Sequence, residues 1–189
     1  MKRKRVVLFC MICIVSVVQT AMGKDSPAMD GESGFIREIR LGILGHDVDR
    51  MWSNLRRENG IDYNAELTFF RPSVDAFQGI ILPSIGASLN DSGFTSKVYA
   101  GILWEREHSF GLFYNIGIGL AWHNGELETD QQDRKSLGTR FCFRVPCEVG
   151  FSISRCHRVS VAFDHISNGY LASPNEGLDT LGIRYGYRF

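Results

Sequence analysis

The stretch Phe110-Gly-Leu-Phe-Tyr-Asn-Ile-Gly-Ile-Gly-Leu-Ala-Trp122 decides the fold. Its even positions read Phe110, Leu112, Tyr114, Ile116, Ile118, Leu120 and Trp122. Its odd positions read Gly111, Phe113, Asn115, Gly117, Gly119 and Ala121. Successive side chains of a β-strand point to opposite faces, so this is one long strand with a bulky apolar face and a small or polar one. A helix would repeat every 3.6 residues instead. The same period runs outward in both directions. Over 141–151 the apolar face is Phe141, Phe143, Val145, Val149 and Phe151, and its opposite carries Arg140, Arg144 and Glu148. Over 61–69, Ile61, Tyr63, Ala65, Leu67 and Phe69 oppose Asp62, Asn64, Glu66 and Thr68. Eight strands are expected, at about 35–44, 61–70, 79–89, 96–105, 109–122, 137–153, 159–167 and 178–189, with no long helix between them. Neither an internal repeat nor a low-complexity tract interrupts this pattern.

Parity alone does not say which face is inside. A soluble barrel buries its apolar face, whereas a membrane barrel turns it to lipid and keeps a polar interior. The length of the apolar face, its Trp and Tyr residues near strand ends and the amino-terminal segment favour lipid. In a bilayer, strands must close into a barrel, because open edges there are not solvated. Connection lengths agree. From an inner, periplasmic start, the outward connections include the charged gaps 45–60 and 123–136 and the loop 168–177, while the gaps at 106–108 and 154–158 are tight. The expected fold is therefore all-β, an eight-stranded antiparallel transmembrane β-barrel of the bacterial outer membrane. Eight strands leave an interior that side chains fill, so no channel is expected.

The amino terminus reads as an address. Lys2-Arg3-Lys4-Arg5 precedes an apolar run from Val6 to Val18 and a small-x-small site at Ala21 and Gly23. This is the pattern of a secretory signal peptide over 1–23. Residues 24–34 form a polar, flexible leader, and 35–189 the barrel. The full chain is neutral, with 21 basic and 21 acidic residues. Removal of the signal leaves 17 basic against 21 acidic residues, a charge of −4, which gives no support to a nucleic-acid partner. Cys142, Cys147 and Cys156 remain, too few for a paired framework and without zinc-ligand spacing.

The last two strands break the greasy face. The odd positions of the seventh are Val159, Val161, Phe163, His165 and Ser167, and those of the eighth are Asp179, Leu181, Ile183, Tyr185, Tyr187 and Phe189. Antiparallel pairing places His165, Ser167 and Asp179 on one face at one height. These are the residue types of a serine nucleophile, its general base and the acid that orients the base. Asp164 points to the other face and is rejected as that acid. Polar residues at a membrane rim are also ordinary, and a His-x-Ser pair alone is a weak signal. A non-catalytic structural or adhesion barrel therefore stands beside the enzyme reading. So do another lipid-modifying barrel (an acyltransferase or phospholipase) and a soluble periplasmic barrel with its faces reversed.

The stretch Phe163-Asp-His-Ile-Ser-Asn-Gly169, then Pro174-Asn-Glu-Gly-Leu-Asp179, then the aromatic-rich strand to Phe189, resembles the lipid A 3-O-deacylases of the PagL type. Ile39-Arg-Leu-Gly-Ile-Leu-Gly-His-Asp47 is similar to that family's opening strand, and a terminal aromatic on the apolar face resembles the end of outer-membrane barrels. The resemblance implies an outer-membrane serine esterase that hydrolyses the 3-O-linked hydroxyacyl ester of lipid A, the lipid anchor of lipopolysaccharide. It needs no metal or other cofactor. By motif position, Ser167 is the nucleophile, His165 the base and Asp179 the acid, where well-known members carry Glu. Glu176, in the loop, is the nearest substitute acid. Asn168, through its backbone N–H or side chain, and Asn175 are the candidate oxyanion donors or supports. A face-to-face homodimer that buries loop surface is compatible with the architecture.

Overall fold

A computed structural model describes residues 34–189 apart from Asn54 and Arg71. The signal peptide expected at 1–23 and nearly all of the leader lie outside the described residues. Nine strands follow in order: β1 (Ile36–His46), β2 (Ile61–Phe69), β3 (Val74–Ala76), β4 (Gly79–Asn90), β5 (Lys97–Glu107), β6 (Leu112–His123), β7 (Phe141–Ser152), β8 (His157–Ser167) and β9 (Leu178–Arg188). Eight of them form a closed antiparallel ring. β1 pairs with both β2 and β9, and β2 pairs with β4, which closes the barrel. The ring strands are 9 to 12 residues long, which matches the roughly 9–11 tilted residues that cross a bilayer's apolar layer.

The polarity is inverted relative to a soluble barrel. Ile118 is 67% exposed and Phe141 65%, while Asp62, Glu66 and Thr68 are buried. Reversed faces are thereby excluded. The wall is greasy outside, with Trp122 and Phe141 toward the outer end and Tyr185 and Phe189 toward the other. Aromatics at both ends are the girdles of a membrane barrel.

Inside, charges are buried and mutually paired. The Arg40 guanidinium lies 3.0 Å from Glu38, 3.3 Å from Glu66, 2.7 Å from Glu105 and 3.0 Å from Glu148. Arg144 bridges Glu66 and Asp164, and Lys97 reaches Asp164 at 2.8 Å. Arg158 joins Glu38 and Glu105. Arg144 and Arg158 also lie over the faces of Tyr99 and Phe113. A buried charge is tolerated only when paired, and here each of these cations meets at least two acids or an acid that is itself shared. The parity of the strands sets this arrangement: the inward positions carry these charges together with small residues and a few buried apolar ones such as Leu44, Leu82, Leu103 and Phe113.

Most strand ends fall within two residues of the expected ones; two strand starts shift further and one short strand is added, each with a local cause. Phe110 and Gly111 belong to a turn rather than to β6. His108 N–H donates to Leu112 and Gly111 N–H to His108, with Gly111 at φ +94. Residues 137–140 leave β7, because Gly138 takes φ +76 and Leu137 folds inward to seal the barrel's outer end. Arg140, expected on the inner face, is exposed and donates to the carbonyls of His123 and Gly125. The short β3 is an addition. Phe77 and Gln78 both adopt positive φ, the geometry of a tight two-residue hairpin, and Trp104 Nε1–H ties it down by donating to Ala76. Phe-Gln lacks the glycine or asparagine by which such turns are ordinarily read. Cys142, Cys147 and Cys156 are free thiols.

The outer end is knotted by buried polar groups. His46 sits between Asp62 (2.7 Å) and Glu58 (2.9 Å). Glu58 also accepts from Thr95 N–H, Thr95 Oγ1 and Lys135 N–H, so it joins three outward loops. Asp47 accepts from the N–H groups of Arg57 and Glu58 and pairs with Lys135. Burial pushes the Glu58 carboxyl up, but the hydrogen bonds from His46, Thr95 and Lys135 outweigh it and hold it below the ordinary carboxylate range. Its stabilising share is therefore present above that ordinary range and lost as pH falls through the lowered value. Glu58→Gln is expected to speed proteolytic nicking of the 47–60 loop at neutral pH while the barrel stays folded. Unchanged nicking would show that Glu58 does not hold the loop.

Candidate active site

The alternation that builds the barrel also brings three polar residues to one place on its outer wall. β8 and β9 pair so that His165 lies directly opposite Asp179. His165 Nδ1 and Asp179 Oδ1 are 2.6 Å apart. This register lets the short aspartate reach the imidazole without a further methylene. A neutral imidazole donates Nδ1–H to the carboxylate, which leaves Nε2 as a basic lone pair. Ser167 lies two positions along β8, so its Cα is roughly 6.6 Å from that of His165 on the same face. Among the described residues, neither Nε2 of His165 nor Ser167 Oγ has another hydrogen-bond partner. Base and nucleophile often close to hydrogen-bonding distance only when substrate binds. Asp164, across the sheet, is held by Lys97 and Arg144 in the interior.

The surroundings differ from a bare lipid-facing wall. Val161 on the same face of β8 is 50% exposed, whereas His165 is 6% exposed and Asp179 is fully buried. The cover comes from the first outward loop. The Trp52 ring stacks on His165 with centroids 4.5 Å apart and planes 9° from parallel. Ser53 N–H donates to Asp179 Oδ2 at 2.6 Å, and Val48 N–H donates to the Asp179 carbonyl at 3.0 Å. Both carboxylate oxygens of Asp179 are thus engaged, one by the imidazole and one by the loop. Neither Trp52 nor Ser53 is signalled by parity. A lone aromatic in a largely polar gap is the available hint.

The loop after β8 is a clamp. Asn168 Nδ2 lies within hydrogen-bond reach of the carbonyls of Leu137, Ala172 and Pro174, at 3.0, 3.1 and 2.9 Å. Asn168 N–H donates to Asn175 Oδ1 at 3.0 Å. Both donor groups of Asn168 are therefore committed to the loop. The Asn175 amide is anchored through its oxygen, and its NH₂ donates to no described residue. Glu176 pairs with Arg57 at 2.9 Å and accepts from Ser136 N–H, which removes it from the imidazole. Gly177 adopts φ +64, and a Cβ there would stand 3.1 Å from His165 Cε1 and 3.4 Å from Ser53 Cβ. Gly177→Ala adds both backbone strain and a wedge between the loop and the imidazole. For the esterase that the sequence resemblance implies, the expected effect is turnover about tenfold lower or more with the barrel intact. Full activity in this variant would mean that the close approach of the loop does not matter.

No group of His, Cys, Asp and Glu among the described residues is arranged to hold a metal ion. The site presents an oriented imidazole, a hydroxyl on the same face and an unengaged amide in the neighbouring loop.

Comparison with known proteins places the chain in a family. A curated relative, the lipid A deacylase PagL of Bordetella bronchiseptica, is 33% identical over 77 residues, a span of 41% of this chain and 41% of that protein. The chain thus matches about two fifths of that relative's length. The crystal structure of the outer membrane enzyme PagL superimposes with a TM-score of 0.60 at 18% identity, covering 79% of this chain and 99% of that one, which is a likeness of fold. The family profile described as lipid A 3-O-deacylase (PagL) matches residues 49–188. Those residues include most of the first outward loop, the loop after β8 and all three polar residues, and the chain belongs to the lipid A 3-O-deacylase (PagL) family.

Proposed function

We propose that this chain is an outer-membrane lipid A deacylase that hydrolyses the 3-O-linked hydroxyacyl ester of lipid A through Ser167, His165 and Asp179. The observation that carries the reading is the His165–Asp179 pair, 2.6 Å apart, sharing the outer wall face with Ser167 on a greasy barrel. His165 Nε2 takes the proton of Ser167, and Oγ attacks the ester carbonyl carbon. The tetrahedral oxyanion accepts hydrogen bonds, with the unengaged NH₂ of Asn175 as the amide candidate and Asn168 as its support. The intermediate collapses, the carbon–oxygen bond to the sugar breaks, and the sugar oxygen takes the proton from His165. Water, deprotonated by the same imidazole, then attacks the acyl-serine, and Ser167 leaves with its proton restored. Asp179 keeps the imidazole in the required tautomer and offsets its charge when it is protonated. A substrate that stays in the leaflet reaches Ser167 from the side, along the apolar wall.

The test is purified barrel in mixed micelles with lipid A, and tandem mass spectrometry of the product. One hydroxyacyl chain should leave the 3-position, with an equal amount of free hydroxy acid. Gain of a chain would identify a transferase, and release of acyl chains only from glycerophospholipid a phospholipase. Either outcome contradicts the proposal.

A further inference from the structure

Loop one does more than close the barrel end. It crosses the rim onto the lipid-facing side of β8 and β9, where its backbone meets Asp179 twice and its indole covers His165. Its anchors are far from its tip. Asp47 holds Lys135, Glu58 joins the loops of Thr95 and Lys135, and Arg57 pairs with Glu176 of the clamp loop. The loop is therefore fixed at both ends, and Trp52 is delivered to the imidazole by a buried scaffold. Yet Trp52 itself is 58% exposed, because only one ring face is used.

We infer that Trp52 is a positioning residue for His165: the stacked indole, together with the Ser53 N–H on Asp179, fixes the plane of the imidazole whose Nε2 is to take the Ser167 proton. This rests on the proposed function. The physical reasons are two. A histidine hydrogen-bonded only at Nδ1 can still swing about that bond, and a flat ring stacked 4.5 Å away restricts that swing. The imidazolium formed during attack also gains from lying against the electron-rich indole face. A residue that merely bound the acyl chain would have no need to lie parallel to the imidazole, within 9°.

The separating experiment uses a small, soluble fluorophosphonate with a short alkyl group, which needs no lipid contact. Its reaction is that of the first half of hydrolysis: Ser167 Oγ attacks phosphorus, fluoride leaves, and the hydroxyl proton passes to His165. The rate of labelling is measured by mass in the wild type, Trp52→Ala and Trp52→Phe, alongside kcat and KM for lipid A in micelles. Trp52→Ala should slow labelling about tenfold and lower kcat with little change in KM, and Trp52→Phe should recover most of the rate. Labelling at the wild-type rate in Trp52→Ala, with KM for lipid A raised, would overturn the inference and make Trp52 a lipid contact. So would a phenylalanine variant as slow as the alanine one, or loss of the heat-modifiable folded band in both. Absence of any label on Ser167 in the wild type would instead overturn the active-site reading beneath it.

Discussion

Ser167→Ala is expected to bring lipid A hydrolysis down to background, a loss on the order of 10⁶-fold, with the barrel fully assembled. Asp179→Asn is expected to cost about 10³–10⁴-fold. The two losses have different origins. Without Oγ no acyl-enzyme forms, and the remaining groups can only polarise the ester. With Asn at 179, the amide can present its NH₂ to Nδ1 of the imidazole. That favours the tautomer with the proton on Nε2, the wrong atom for accepting one from Ser167. The loop contact changes less, because the amide oxygen can still accept from Ser53 N–H. Release of hydroxy acid from lipid A micelles measures both. Asp179→Asn at wild-type rate would remove the aspartate from the mechanism, whatever its distance from His165.

Arg40→Leu should produce the largest change in stability. Its guanidinium serves Glu38, Glu66, Glu105 and Glu148 inside the wall, and Arg40 is itself buried. Arg144, Arg158 and Arg184 still touch these four carboxylates, but without Arg40 the buried cluster is one positive charge short, a cost of about 3–5 kcal/mol. Replacing an exposed arginine such as Arg56 should cost within about 0.5 kcal/mol. The temperature at which the folded, heat-modifiable band disappears on a gel compares the two. Arg40→Leu with Glu66→Gln should regain part of the loss by removing one negative charge from a cluster left one positive charge short. If Arg40→Leu melts no earlier than Arg56→Leu, the interior cluster does not hold the barrel together.

Much of this architecture could be read from residue order because it depends on a local rule. Alternation along 61–69 and 141–151 sets which residues face in, and closure then follows from the bilayer. The juxtaposition of His165, Ser167 and Asp179 was equally legible, since it needs only parity and one antiparallel pairing. What lay hidden depends on long range or on backbone detail. Ser53 reaches Asp179 across 126 positions, and no period in the sequence encodes that contact. The commitment of Asn168 to the carbonyls of Leu137, Ala172 and Pro174 turns a candidate oxyanion donor into a loop clamp, and it arises where two loops meet. The ends of β6 and β7 shifted because Gly111 and Gly138 adopt positive φ, which hydrophobic alternation does not register.

The central claim is that a serine on the outer wall of this barrel removes an acyl chain from lipid A. The most direct measurement is the mass spectrum of lipid A from Gram-negative cells that express the chain or its Ser167→Ala variant at equal levels of heat-modifiable barrel. The account predicts lipid A lighter by one hydroxyacyl chain with the wild type and unchanged lipid A with the variant. Unaltered lipid A beside correctly assembled wild-type barrel, or the same loss with Ser167→Ala, would contradict it.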